Sequence, residues 1–158
     1  MRNNSKDFED FLEARKIPMN KGMNIDNVTI FSFPEKLNIN GVERPVLGGG
    51  VEKRAVISLT DDDTLADIYI FHITSIPQED NKIELYKLFN ELNSTYKYIS
   101  FYENDNVVNA KACIPFNNNF NAEIVFETLT VMFHAIEEEY EKIRSSINLK
   151  SKIINLKQ

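Results

Sequence analysis

NKIELYKLFNELNSTYKYISFYENDNVVNAKACIPFNNNFNAEIVFETLTVMFHAIEEEYEKIRSSI, residues 81–147, decides the fold of this chain. It opens with a helix from Asn81 to about Thr95. Asn81 and Glu84 have the spacing of a capping box, in which two side chains satisfy free backbone amides. Leu85, Leu88, Phe89, Leu92 and Tyr96 line one face at helical period. A hairpin follows, with strands Tyr98 to Tyr102 and Val107 to Ile114 around the turn Glu103-Asn104-Asp105-Asn106. Pro115 stops it. The closing helix runs from Ala122 to Ile147. Val125, Leu129, Met132, Ile136, Tyr140, Ile143 and Ile147 make a near-heptad stripe, which Phe126 and Phe133 widen. Glu137, Glu138, Glu139 and Glu141 mostly take the other side and read as a solvated face.

Working outward, the first half adds one helix and several strands. The helix runs from about Lys6 to Lys16, capped by Asn4 or Ser5, with Phe8, Phe11 and Leu12 in one stripe. Pro18 ends it. Val28 to Phe33 alternates and is rich in β-branched and aromatic residues. Leu37 to Ile39, Asn40-Gly41 and Val42 spell a hairpin, because both turn residues tolerate positive φ. Gly48-Gly49-Gly50 is a joint or sharp bend. Val51 to Leu59 is a strand with Val51, Lys53, Ala55, Ile57 and Leu59 on one face. The polar turn Thr60 to Thr64 leads to the strand Leu65 to Ile76. Ile68-Tyr69-Ile70-Phe71 is apolar on both faces, which suits a central strand covered above and below.

A chain of 158 residues is expected to make one domain with a core of its own. The net charge of −6 argues against uniform attraction to nucleic acid, so nucleic acid is not expected as a partner. A lone cysteine, Cys113, leaves no internal disulfide and no zinc spacing. No secretory signal and no membrane-length apolar run is visible, so the expected place is the cytoplasm and no membrane partner is expected. After Ile147 the balance turns basic at Lys150, Lys152 and Lys157, with Ile153, Ile154 and Leu156 between. This tail, residues 148–158, is a helix extension, an edge strand or a mobile end.

The order helix, strands, helix, two strands, helix resembles the YbjN family. The resembling residues are Leu85 to Asn93, then Phe101-Tyr102 before an acidic turn, then Val107-Val108. Phe126, Leu129, Met132 and Glu139-Tyr140 on the closing helix continue the match, so that it spans roughly residues 51 to 147. The resemblance implies an α+β fold of the type III secretion chaperone-like kind: an antiparallel sheet packed with helices. It also implies a homodimer that binds other proteins without turning anything over. It does not imply service to a secretion system.

No constellation of residues carries an evident chemistry. Gly48-Gly49-Gly50 precedes a strand pattern rather than a helix and lacks the lysine and hydroxyl of a phosphate loop. Asp61-Asp62-Asp63 with Asp67 lacks the glycine and terminal glutamate of a calcium loop, and reads as a solvated turn. His72 and His134 have no ligand at metal spacing. Cys113 reads as a small apolar residue at a strand end. No catalytic residue, cofactor or metal is therefore expected.

What remains is a surplus of apolar faces for one small domain. Phe8, Phe11, Leu12, Ile68, Ile70 and Tyr140 are the candidate partner or dimer surface, since large apolar patches are rarely left bare. The expected function is a protein-binding module, chaperone-like or regulatory, acting as a homodimer. The alternative is an inhibitor or immunity protein of a phage or toxin system that binds one protein partner.

Overall fold

In the computed structural model the described residues are 3–26, 28–59, 64–77, 81–116 and 118–147. The aspartate turn at 61–63 and the tail from 148 onward lie outside them. The fold is α+β, as expected. Six strands form one antiparallel sheet: β1 (Asn20–Met23), β2 (Thr29–Ser32), β5 (Arg54–Leu59), β6 (Leu65–Ser75), β7 (Ser100–Asn104) and β8 (Val107–Pro115). Their order is β1-β2-β5-β6-β8-β7. The remaining strands, β3 (Lys36–Ile39) and β4 (Val42–Pro45), make a separate hairpin between β2 and β5. Three helices, α1 (Asn4–Arg15), α2 (Ile83–Thr95) and α3 (Ala122–Ile147), complete the described residues.

Local chemistry explains most element ends. The side chain of Asn3, not Asn4 or Ser5, caps α1 by accepting from Lys6 N at 2.8 Å. That shift starts the helix two residues earlier than expected. The helix stops before Pro18, at Lys16 in the left-handed region with φ 56°. Asn40 (φ 52°) and Gly41 (φ 83°) form the two-residue turn that their sequence predicts. Asp105 (φ 49°) and Asn106 (φ 61°) do the same between β7 and β8. The second turn is tighter than the expected four residues, so β7 extends to Asn104. The capping box at α2 does not form: Asn81 accepts from Ile83 N at 2.9 Å, while Glu84 turns to Lys87 at 3.3 Å.

One face of the sheet meets the helices. Phe31, Ile57, Ile68 and Ala112 lie in register across four strands, and all are buried. Phe8 of α1 packs edge-on against Phe31 with centroids 4.8 Å apart. Phe89 of α2 stacks on Phe101 of β7 at 6.4 Å. The expected stripe of α3 is buried along its length, Tyr140 alone being half-exposed.

The central strand β6 does not alternate throughout. Its register shifts between Ile70 and Thr74, and His72 sits there at φ 59°. The His72 amide donates to Asn109 Oδ1 at 2.9 Å, and its carbonyl accepts from Lys53 N at 2.9 Å. This bulge changes the strand's phase, so Ile70 and Ile73 both turn inward. The expected double covering is not met. β6 is central, but its Tyr69 and Phe71 face away from the helices and are half-buried.

Two asparagine and glutamate contacts tie α2 to the hairpin. Asn93 holds both backbone groups of Phe101, accepting from its N–H at 2.7 Å and donating to its carbonyl at 3.1 Å. This satisfies part of the outer edge of β7, which would otherwise invite another strand. Glu103 accepts from Lys82 Nζ at 3.2 Å, from the Tyr86 hydroxyl at 3.0 Å and from Asn106 N at 3.1 Å. Burial pushes its carboxyl up, but the bonds from Lys82, Asn106 and Tyr86 outweigh it, and the pKa falls below the ordinary value. A carboxyl lowered on folding stabilises above its unfolded pKa, and the gain is lost as pH falls through the folded one. Glu103→Gln is therefore expected to lower Tm at pH 7, and to lower it by less at pH 3. Thermal scans at both pH values check this; an equal Tm at pH 7 would remove the role given to the carboxylate.

The glutamate face of α3 is not uniformly solvated. The Tyr96 hydroxyl shares its single proton between Glu139 Oε1 at 3.0 Å and Glu138 Oε2 at 3.2 Å. Burial, then the bonds to these carboxylates, push the Tyr96 pKa well above its ordinary value. The end of α2 is thereby tied to the middle of α3.

Candidate functional site

An apolar groove runs beside α3. Phe126, Leu129, Phe133 and Ile136 of the helix form one wall. Pro18, Phe33, Val46 and Leu47 form the other, and the volume of the open groove between them is about 680 Å³. The second wall comes from connections: the chain after α1, the end of β2, and the loop after β4. Two glycines set its closeness. Gly48 has φ 84°, and a Cβ there would lie 3.0 Å from Phe133 Cζ and 3.1 Å from Ala55 Cβ. A Cβ on Gly49 would fall 1.9 Å from the Pro34 carbonyl oxygen. The glycine run is thus a packing joint that lets the loop lie flat against β2 and α3.

Polar groups are few in the groove: Lys53, Thr130, His134 and Glu137. Lys53 holds a left-handed backbone at φ 51°, and its ammonium lies 4.4 Å from the centroid of the Tyr140 ring. At the other end, Phe11 packs 6.2 Å from Phe126, and the Arg15 guanidinium lies 5.3 Å from the Phe11 ring. Tyr140 and Phe11 therefore border the groove at its two ends. Leu47 is 66% exposed and Val51 is 76% exposed on the same loop.

The candidate surface read from the sequence divides. Phe8, Leu12, Ile68 and Ile70 are buried in the chain's own core and present nothing to a partner. Phe8 and Leu12 close over the sheet beside Phe31, and Ile68 and Ile70 sit on its helix side. The surplus of apolar faces that suggested them is consumed internally, by α1 folding back. Phe11 and Tyr140 stay half-exposed and flank the groove. Phe33, Val46 and Leu47 were not legible as site residues. They belong to the segment 20–50, whose partners are distant in sequence.

His72, His134 and Cys113 lie apart. His72 sits at the β6 bulge with Nε2 2.9 Å from Ser75 Oγ, His134 lines the groove, and Cys113 faces away from the helices on β8. Among the described residues no group of three or more histidines, cysteines or carboxylates is placed to hold a metal ion. No described helix is long and apolar enough to cross a membrane.

No protein-family model matches this chain, and no curated protein matches it. Among solved structures, the chain is similar to one described as the crystal structure of the ExsC-ExsE complex. The identity is 11% and the TM-score 0.49, over 88% of this chain and 94% of that one.

Proposed function

We propose that the chain is a protein-binding module without catalytic chemistry, chaperone-like or regulatory, that works as a homodimer in the manner of the YbjN family it resembles in sequence. The observation that carries this reading is the groove beside α3. Its lining is apolar and aromatic, and its polar groups are too few and too scattered for a reaction centre. A two-fold contact requires knob and hole on one patch. Leu47 is an exposed apolar knob in the wall of the groove, so a second copy can seat its Leu47 there while receiving the first. Phe11 and Tyr140 then lie at the edges of the contact.

Light scattering over a concentration series tests this. The expected mass is twice the 18.3 kDa of the chain. Leu47→Glu, at an exposed position, is expected to return it to a monomer with its Tm unchanged. A wild-type chain that is monomeric throughout would overturn the dimer. It would favour the inhibitor or immunity reading, in which the groove takes an apolar segment of one other protein.

A further inference from the structure

The β3–β4 hairpin stands off the main sheet. Every residue of its two strands is exposed except Leu37, which is half-buried. None of its aliphatic side chains belongs to the core or packs against it. The hairpin is nonetheless well specified. Asn38 Oδ1 accepts from Gly41 N at 2.9 Å across the Asn40-Gly41 turn, and the register sets Leu37 opposite Arg44 and Ile39 opposite Val42. Cross-strand partners share a face, and alternate residues of a strand take opposite faces. One face therefore carries Leu37, Ile39, Val42 and Arg44, and the other Lys36, Asn38, Glu43 and Pro45. Ile39 is 51% exposed and Val42 53%. A two-stranded ribbon with nothing packed on its apolar face is marginal in water.

Chain connection joins this face to the groove. Arg44 stands three residues before Leu47, a reach of at most about 10 Å. A Leu47 seated in a partner's groove therefore brings the base of its hairpin to the mouth of that groove. The lengths agree. Strands of four residues extend about 13 Å. The helical wall from Phe126 to Glu137 extends about 16 Å. The area requires it as well. A stable contact takes roughly 800 Å² and about 20–30 residues from each partner, far more than Leu47, Phe11 and Tyr140 supply.

We propose that the β3–β4 hairpin is an arm that clasps a second copy of this chain, its apolar face closing over the partner's groove and its Arg44 paired with the partner's Glu137. This rests on the dimer proposed above and names the element that completes it. Arm and groove adjoin in each copy, so one two-fold contact lets each copy give an arm and receive one. Arg44 and Glu137 are both exposed, and among the described residues neither is in an ion pair. The groove's own cation, Lys53, lies on the Tyr140 ring. Lys36 and Glu43 share the hairpin's other face and offset each other.

Sedimentation velocity of the full chain over a concentration series tests the arm. Ile39→Thr with Val42→Thr keeps β-branched residues in the strands while removing apolar surface. It is expected to raise the dimer dissociation constant more than ~10-fold, the effect of about 1.4 kcal/mol. Arg44→Glu and Glu137→Arg are each expected to weaken self-association, because each sets like charges across the contact. An equimolar mixture of these two variants is expected to regain the dimer, since both cross pairs are then opposite in sign. A contact within one chain gives no such rescue. A dimer that Leu47→Glu dissolves, but that the threonine pair leaves as tight as before, would overturn the arm and keep the groove. A mixture that stays monomeric would do the same. A wild-type chain that is monomeric throughout, or a dimer that resists Leu47→Glu, would overturn both.

Discussion

Leu129→Asp is expected to abolish cooperative folding. Leu129 is 2% exposed, at the centre of the buried stripe of α3 and at the base of the groove wall. Truncating a buried leucine costs about 2–5 kcal/mol by lost burial and cavity formation. A carboxylate adds its own desolvation at so buried a position. The sum approaches the roughly 5–15 kcal/mol that holds a domain of this size together. Val131→Asp is the control. It lies on the same helix, is 50% exposed, and is expected to shift Tm little. Far-UV circular dichroism with temperature reads both. A Leu129→Asp variant that unfolds cooperatively near the wild-type temperature would mean that the core does not lie under α3.

Phe8→Ser and Phe11→Ser are expected to part company. The two residues sit one turn apart on α1 and are chemically identical. The sequence alone assigns both to a partner surface, so that their loss would weaken association more than folding. The structure assigns them differently. Phe8 is fully buried against Phe31 and Phe120, while Phe11 lies at the rim against Phe126. Phe8→Ser is expected to cost about 3–5 kcal/mol of stability, the range for losing a buried aromatic. Phe11→Ser is expected to cost less than about 1.5 kcal/mol and to weaken self-association. Urea unfolding gives the first quantity for each variant, and light scattering the second. Equal destabilisation by both would show that α1 is core throughout, and would remove Phe11 from the groove's border.

The two-residue turns explain part of what was legible. Asn40-Gly41 needs nothing outside itself to form, because its residues tolerate positive φ. The same holds for the stripe of α3, where a period near 3.6 states which side is buried. The groove lacked any such local signal. Phe33, Val46 and Leu47 come from unpatterned connections, and they meet Phe133 only because Gly48 and Gly49 let the loop approach closely. The outer sheet face was half legible. Tyr69 and Phe71 were read as apolar on the second side of a central strand, and the natural inference was a second covering layer. What lies there is one cation from each neighbouring strand, Arg54 of β5 opposite Phe71 and Lys111 of β8 opposite Tyr69, which only strand order brings beside those rings.

The sequence by itself determined the α+β class, the element order in the second half, the long closing helix and its buried stripe. Each rests on interactions within a few residues: hydrogen bonds to caps, turn dihedrals, and the spacing of side chains along one element. The tertiary structure alone decided which apolar residues are core and which are surface. Phe8, Leu12, Ile68 and Ile70 vanish inward, while Leu47, Phe11 and Tyr140 frame a groove. Hydrophobic burial has no direction of its own. An apolar side chain is satisfied equally by its own chain or by another, and only the packing of distant elements settles which one covers it.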